Sequence, residues 1–262
     1  ESQGSDWRFA HDKLRETLLR RMGADKLRSL HGLVAQTMEA AYTGSNRDSM
    51  SAVLAYHFKE AQIYDKALAY YELAGDCAVK LYIYEQARTH YAAAEALVAL
   101  LPPSSDLQRR HVDILLKTVK AALLNVPPEE NLERLARARV QIETLLGSSS
   151  AIREDRLRLA RIDYYCARLH QYAGRPGEAI PYLRKVLPIA QEHGDQELLV
   201  MPSMTLGLGF VLFGQMGKGR EMLEPVLESM ERLMGKGIDA LRVNMFYAIA
   251  LASSGHYPLA QA

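Results

Sequence analysis

Apolar positions recur through almost the whole chain at the 3.6-residue period of an amphipathic helix. Alternation of apolar and polar residues, which is the pattern of a half-buried strand, is almost absent. Short runs rich in glycine, proline, serine and asparagine interrupt the helical pattern and predict connections between helices. These runs are TGSN at 43–46, PPSSD at 102–106, NVPPEEN at 125–131, GSSS at 147–150 and HGD at 193–195. The pattern predicts an all-α protein, with Asp106 and Asn131 as helix N-caps.

A spaced motif repeats within this helical background. It consists of a small residue, a glycine seven positions later, an often aromatic position two residues after the glycine and a second small residue three positions beyond that. Apolar residues follow four and seven positions further on. Its copies are Ala167, Gly174, Ala179, Leu183 and Val186; Gly207, Gly214, Gly219, Leu223 and Val226; and Ala248, Gly255, Tyr257 and Ala260. Weaker copies are Ala55, Phe58, Tyr64, Ala67, Tyr71 and Ala74, and a unit around Ala138. The second small residues lie 40 and 41 positions apart, at 179, 219 and 260, so the motif predicts a repeating pair of antiparallel helices.

The glycine-rich run LVMPSMTLGLGFVLFGQMGKGREMLEPVL at 199–227 allows two interpretations. A phosphate-binding loop would need G-x-x-x-x-G-K followed by Ser or Thr, but the residue five positions before Gly217 is Leu212, and Gly219 follows the lysine. Two antiparallel helices approach closely only where small residues meet, and a glycine between them supplies the turn. The run therefore predicts helix packing at Gly207 and Gly219.

Units of this kind resemble the tetratricopeptide repeat, whose usual period is about 34 residues. The longer period of this chain would extend the helices by about two turns per unit. The resemblance covers about residues 50 to 262. It implies a right-handed solenoid of helical hairpins, in which the first helix of each unit lines the concave surface.

The first forty residues follow a different pattern. In WRFAHDKLRETLLRRM an aromatic residue precedes His-Asp and Leu-Arg-Glu, and in LRSLHGLVAQTMEAAY a Leu-His precedes an alanine-rich stretch. The matching positions are Phe9, His11, Asp12, Arg15, Glu16, Leu30 and His31. This arrangement resembles the segment that joins the ATPase module to the repeats in bacterial STAND/AAA-type signalling ATPases, which are attached to class III nucleotide cyclases, Ser/Thr kinases or transcriptional activators. The resemblance implies that the nucleotide site lies upstream of this sequence.

We therefore expect three segments in a fragment of a longer protein. Residues 1–44 are predicted to be a helical joining segment, the C-terminal remnant of an upstream ATPase or winged-helix region. Residues 45–101 are predicted to form the first helical repeats. Residues 102–262 are predicted to form tetratricopeptide-like repeats of about 40 residues that are truncated at the C-terminus.

Composition argues against several classes of function. The 32 Lys and Arg against 31 Asp and Glu give a net charge of +1, which is too balanced for a region held on nucleic acid mainly by charge. No apolar run reaches the roughly 18 residues of a membrane span. Cys77 and Cys166 support neither a disulfide framework nor a four-ligand zinc site, and the eight histidines lack metal-ligand spacing. We expect a cytoplasmic, non-catalytic region without a cofactor or metal.

Two features of the charged and aromatic residues concern binding. The run IREDRLRLARI, which mixes arginine with acidic residues, predicts a solvated face with ion pairs. Alignment of the helix around Ala167 with a tetratricopeptide unit places a stripe of four residues on the concave surface: Arg161, Tyr164, Arg168 and Gln171. The equivalent positions in the next units are Met201, Met204 and Leu208, and then Arg242, Met245 and Ile249. Arginine and tyrosine are typical of protein-binding hot spots, and methionine adapts to varied partners, so these positions predict a protein-binding groove; a plain solvated stripe is the alternative.

The leading hypothesis is a non-catalytic scaffold that binds a protein or peptide and regulates an ATPase or signalling effector domain in the same full-length chain. The alternative is a small-molecule sensor or enzyme with a pocket between the N-terminal helices and the repeats. Homodimerisation through the C-terminal end is a further expectation, because an uncapped solenoid end exposes apolar surface. Binding of nucleic acid is the weakest alternative.

Overall fold

The computed structural model describes residues 2–3, 6–7, 17, 19–123, 125–227, 229, 232, 244–245, 247–249 and 251–252. The chain divides into two units, Glu1–Pro103 and Ser104–Ala262. In the described part, strands occur only as a short antiparallel pair, β1 (Ser2–Gln3) and β2 (Asp6–Trp7). All other regular structure in these ranges is helical, as the apolar period predicts.

After the helical residues 19–21, the first unit has five helices with defined bounds, four of which pack in sequence. They are α1 (Ala24–Ala41), α2 (Ser45–Ser49), α3 (Ser51–Glu60), α4 (Tyr64–Lys80) and α5 (Tyr84–Val98). Helix α1 packs on α3, α3 on α4 and α4 on α5, and the short α2 lies against α3 and α4. Stacked rings of Phe58 and Tyr70 join α3 to α4, with centroids 5.5 Å apart. Glu39 ties α1 to α4 by accepting a hydrogen bond of 2.8 Å from Tyr70 Oη.

The second unit is a series of antiparallel helices, each packed on the next. They are α6 (Ser105–Ala122), α7 (Pro128–Leu146), α8 (Arg153–Tyr172), α9 (Pro176–His193), α10 (Gln196–Leu212) and α11 (Met216–Leu223), which continues into a 3-10 turn at Glu224–Val226. Three core clusters lie along the series, one around α6 to α8, one around α8 to α10 and one between α10 and α11. Ala167 and Ala179, predicted as small residues at a helix contact, are both buried in the middle cluster. The predicted hairpins α8–α9 and α10–α11 are therefore confirmed.

Several connections between consecutive helices share one geometry. Residues with a left-handed φ of 60° to 75° end five helices, at Gln62, Tyr82, Gly174, Gly194 and Gly214. At each of them the next N–H donates to the carbonyl five residues earlier, as Ile63 N does to Phe58 O at 2.9 Å. This is the Schellman helix ending, which satisfies carbonyls that the helix leaves open. Within each unit these positions lie 20 residues apart, so the repeat of about 40 residues consists of two helices of similar length.

Two glycines of the run at 199–227 hold α10 and α11 together, as predicted. A Cβ at Gly207 would lie 2.6 Å from Leu223 Cγ. A Cβ at Gly219 would lie 2.5 Å from Val211 Cγ2 and 3.1 Å from the carbonyl oxygen of Gly207. Only glycine fits at both positions without a shift of the helices.

A buried ionic network fixes the start of α8 against α6. Arg109 Nε and Nη2 donate to the two carboxylate oxygens of Asp155 at 2.9 and 3.1 Å, and Asp155 is 0% exposed. Asp155 also accepts a hydrogen bond of 3.0 Å from the N–H of Ile152, which precedes α8. Arg158 bridges Asp155 and Asp113, at 3.2 and 2.9 Å. The prediction of a solvated face is therefore wrong at Asp155, because its carboxylate meets an arginine of another helix.

Both N-cap predictions are wrong. The N-cap of α6 is Ser104, whose hydroxyl accepts a backbone N–H at 3.1 Å, and the residue at the N-cap of α7 is Pro127. Asp106 lies in the first turn of α6 instead, where its negative charge suits the helix N-terminus. Asn131 is buried inside α7, and its amide donates to Ala122 O at 3.4 Å.

Some predictions fall on residues outside the described ranges. These residues are Phe9, His11, Asp12, Arg15, Glu16, Arg242, Gly255, Tyr257 and Ala260. The labels given to residues 1–44, 45–101 and 102–262 stay predictions. Cys77 and Cys166 are free thiols. Within the described residues, no helix combines the length and hydropathy that crossing a bilayer requires.

Candidate peptide-binding groove

The predicted stripe on α8 centres on an arginine held between two tyrosines. Arg168 Cζ lies 5.8 Å from the ring centroid of Tyr164 and 5.2 Å from that of Tyr172. Its Nη1 donates to Tyr164 Oη at 2.8 Å, and its Nη2 donates to Tyr172 Oη. The three residues lie four positions apart on one helix face, so their spacing produces the arrangement. Cation–π contacts and the two hydrogen bonds limit the freedom of the guanidinium.

The charge of Arg168 has no anionic partner among the residues that the structure describes. Both of its hydrogen bonds go to phenols. Burial raises the pKa of Tyr164, so this phenol is neutral at ordinary pH. The positive charge of Arg168 is therefore held in place by neutral side chains.

Arg161, one residue of the same stripe, is already paired. Its Nη2 donates to Asp195 Oδ2 at 2.8 Å. Asp195 is the N-cap of α10, and its Oδ1 accepts the N–H of Leu198 at 3.0 Å. Arg161 thus links α8 to the start of α10, and its charge is less available to a ligand than that of Arg168.

The remaining predicted positions differ in exposure. Tyr164 is 5% exposed and Met204 is 9% exposed, so both support the groove from below. Met201 is half-buried and packs against the clusters on both sides of α10. Met245 is 53% exposed, and Arg242 lies outside the described residues. Tyr164 belongs to the core cluster against which Met201 packs, and Arg168 contacts Tyr164. Whether the whole set binds a partner stays a prediction.

A cavity at one end of this stripe was not predicted. It has a volume of about 80 Å³ and lies between the α8–α9 hairpin and the α10–α11 hairpin. Its lining residues are Gln171, Ala179, Ile180, Leu183, Thr205, Leu206, Gly209, Phe210, Phe213 and Gln215. Gln171 belongs to the predicted stripe, so the cavity continues the same surface. Phe213 is 66% exposed, although large apolar side chains at a helix end usually pack inward.

We name the surface formed by Arg161, Arg168, Gln171, Met201 and this cavity the α8–α10 groove. Only part of this groove could be predicted from the sequence. The cavity is lined by residues of three helices, and these residues do not recur at a regular spacing along the chain. The one local feature of the sequence that points to the cavity is Gly209 beside Phe210 and Phe213. In the described residues, no group of three or more His, Cys, Asp or Glu is placed to hold a metal ion.

Comparisons with known proteins give a fold but no family. No family model matches the chain, and no curated protein matches it. Three solved structures illustrate the likeness. A Podosopora anserina protein with nearly identical TPR-like repeats is 19% identical over 74% of this chain and 90% of its own, with a TM-score of 0.52. The apo form of RapI is 13% identical over 95% of this chain and 73% of its own, with a TM-score of 0.56. BtubC (BKLC) from P. vanneervenii is 14% identical over 92% of this chain and 87% of its own, with a TM-score of 0.52.

The helical hairpins and these likenesses define the class of fold. The chain is an all-α, tetratricopeptide-like helical repeat, as its sequence predicts. At these levels of identity the likeness concerns the fold, and function has to be argued from the groove itself.

Proposed function

We propose that this chain is a non-catalytic scaffold that binds a protein or peptide segment in the α8–α10 groove. The observation that carries the proposal is Arg168, whose charge is held between Tyr164 and Tyr172 without a carboxylate partner in the described chain. A partly buried cation beside aromatic rings and an apolar cavity is the composition of a binding hot spot. Because helices on both sides fix the groove, the cost of ordering on binding falls mainly on the ligand.

A peptide-display experiment tests this proposal. The 262-residue chain is immobilised and screened against a phage library of random 12-residue peptides, beside Arg168→Gln and Arg156→Gln variants. Arg156 lies on the same helix, half exposed, and pairs with Glu192 away from the groove, so it is a matched control. We expect the wild type and Arg156→Gln to enrich the same families of related peptides, and Arg168→Gln not to enrich them.

Two results of this screen would contradict the proposal. Either the folded wild type enriches no peptide above background, or Arg168→Gln enriches the same families equally well. Circular dichroism at 222 nm and the melting temperature establish that the variants are folded before the screen.

A second part of the proposed function is regulation of another domain in the same full-length chain. We propose that ligand binding to the repeats controls an ATPase or signalling effector domain in the same full-length chain. The support is the resemblance of the N-terminal segment to the joining region of STAND-type ATPases, of which Leu30 and His31 lie on α1. Sequencing the coding DNA upstream tests it: a Walker-type P-loop in the same reading frame supports the ATPase, and a start codon immediately before Glu1 contradicts it.

A small-molecule sensor is the second candidate, and one observation favours it. Within the first unit an open groove of about 340 Å³ lies between α1 and the turn from α3 to α4. Its lining residues are Arg28, Ser29, Gly32, Leu33, Gln36, Ala61 and Ile63. A panel of nucleotides and metabolites that raises the melting temperature of the wild type, but not of Leu33→Asp, would favour this function.

A further inference from the structure

Gly209 has no role in packing that accounts for it. A Cβ built at Gly209 meets no heavy atom within 4 Å, whereas Gly207 and Gly219 stand where a Cβ would collide. Its backbone is inside α10 and does not adopt a left-handed φ. Glycine weakens the interior of a helix relative to alanine. The fold would therefore accept, and α10 would favour, a larger residue at this position.

The missing side chain opens the cavity of the α8–α10 groove. Gly209 is one of the residues that line the cavity, beside Leu206 and Phe210 of the same helix and Leu183 of α9. The cavity volume of about 80 Å³ is roughly half of the 150 Å³ of an engineered apolar cavity that binds benzene. Its size suits a small aliphatic group better than an aromatic ring.

The polar groups near the cavity suit a peptide. Gln171 and Gln215 are among the lining residues, and a glutamine amide can both donate to and accept from a peptide main chain. Lys218 Nζ lies 3.0 Å from Gln215 Oε1 and 5.8 Å from the ring centroid of Phe210. Arg168 lies one helical turn before Gln171. The lining residues include no carboxylate, and the two charged residues named beside the cavity, Arg168 and Lys218, are both positive.

We propose that this cavity takes a branched aliphatic side chain, that of Leu, Ile or Val, from an extended peptide that also carries a carboxylate close to it. Gly209 leaves the volume that the aliphatic group fills, and Arg168 and Lys218 attract the acidic residue. The inference rests on the proposed function, because it names the peptide chemistry that the α8–α10 groove selects.

Gly209→Leu is the direct test, since its side chain would fill the cavity from within. Gly217→Leu is the matched control: a Cβ at Gly217 also meets nothing within 4 Å, it lies on a helix, and it is not part of the lining. The probes are the synthetic peptides enriched from the phage library, each made also with its conserved aliphatic residue changed to Ala. Affinities are measured by fluorescence anisotropy.

The wild type and Gly217→Leu should lose about tenfold or more in affinity when the aliphatic residue of the peptide becomes Ala. Gly209→Leu should bind both peptides equally and about as weakly as the wild type binds the Ala peptide, which is the coupling expected for a shared site. The melting temperature of Gly209→Leu should not fall. Gly209→Ala fills only part of the cavity and should give an intermediate affinity. It serves as the second variant if the leucine side chain proves too large for the cavity and destabilises the fold.

The inference and the proposed function fail in different ways. Peptides that depend on Arg168 but are bound equally by the wild type, Gly209→Ala and Gly209→Leu would overturn the aliphatic pocket and leave the groove standing. Enriched peptides without an aliphatic or an acidic preference would overturn the pocket too. A wild type that enriches no peptide would overturn the proposed function, and the inference with it.

Discussion

At the scale of single residues, the buried carboxylate of Asp155 is the contact on which the position of α8 depends most. Its two oxygens accept hydrogen bonds from Arg109 and from the N–H of Ile152, and it is fully buried. Burial alone would raise the pKa of Asp155, but these hydrogen bonds and the charges of Arg109 and Arg158 outweigh burial and lower it below its ordinary value of 3.8. The carboxylate is therefore ionised at neutral pH.

Asp155→Asn should destabilise the second unit strongly. The change leaves the buried guanidinium of Arg109 with only the exposed carboxylate of Asp106 as a countercharge, and breaking a buried ion pair typically costs about 3–5 kcal/mol in free energy of unfolding. Urea unfolding followed by circular dichroism measures the loss. Glu154→Gln, an exposed neighbour in the same turn, should change the free energy of unfolding by less than about 0.5 kcal/mol. Equal stability of the two variants would show that the network contributes little.

A pair of histidines makes the first unit sensitive to mild acid. His31 Nδ1 on α1 and His57 Nδ1 on α3 are 2.9 Å apart, so at least one ring has to be neutral. Burial and the nearby charge of His31 lower the pKa of His57 below its ordinary 6.5, against the opposing effect of Glu60. Because the folded state binds this proton less readily than the unfolded state, the contribution to stability is present above about pH 6.5 and is lost as the pH falls through the lowered pKa.

We therefore expect the melting temperature of the wild type to fall between pH 7.5 and pH 5.5, and to fall less in His57→Gln. Asp155 does not interfere, because its own loss of stability begins only as the pH falls below about 3.8. Lys59→Gln, an exposed change on the same helix, should keep the full pH dependence. A His57→Gln protein with the same pH dependence as the wild type would show that the pair does not titrate as its geometry implies.

The sequence predicts residues well where one helix decides their role and poorly where several helices meet. Gly207 and Gly219 follow from the repeat spacing, and Arg168 and Tyr164 follow from a four-residue spacing on one helix. The burial of Asp155 depends on an arginine 46 positions earlier, which no local pattern indicates.

At the scale of elements, the close contact of α10 with α11 depends on Gly219. Gly219→Ala should lower the free energy of unfolding by about 1–3 kcal/mol, because the new methyl group meets the backbone of Gly207 as well as a side chain of Val211. Gly217→Ala, two positions earlier on the same helix, should leave stability unchanged or slightly higher, since its methyl group meets nothing within 4 Å. Chemical unfolding of the two variants gives the comparison. Equal stability would mean that the helices move apart without cost.

The helical hairpins were predicted clearly where glycine occupies the turn, and only as weaker copies or not at all where it does not. Gly174 and Gly214 provide the left-handed residue of two turns and were recognised from the sequence. Gln62, between α3 and α4, and Tyr82, between α4 and α5, adopt the same conformation without being glycine. The first of these hairpins was predicted only as a weaker copy, and the second was missed. The segments IYDKA at 63–67 and IYEQA at 83–87 repeat at the same 20-residue spacing and could have revealed it. The cavity could not be predicted in this way, because Leu183 and Phe210 come together only after two hairpins stack.

At the scale of the whole molecule, each unit is an array in which the long helices pack mainly on the long helices that precede and follow them. Stability in such arrays is the sum of many local contacts, so surfaces can change without loss of the fold. The α8–α10 groove is built on helices whose positions the Asp155 network and the glycine contacts fix. This rigidity is what a scaffold needs if binding is to be specific.

Homodimerisation through the C-terminal end and control of an effector domain belong to this scale and stay proposals. Light scattering over a dilution series tests the first. A measured mass of 29.3 kDa, that of the monomer, at all concentrations would contradict homodimerisation.

The proposed binding of a peptide in the α8–α10 groove depends on the charge of Arg168. The most direct measurement is a fluorescence anisotropy titration of one enriched peptide, in parallel against the wild type, Arg156→Gln and Arg168→Gln. We predict equal affinity for the first two and a loss of about tenfold or more for Arg168→Gln, because truncating a hot-spot arginine commonly costs more than about 1.4 kcal/mol. Equal affinity of all three folded proteins would contradict the account and place the binding surface elsewhere on the chain.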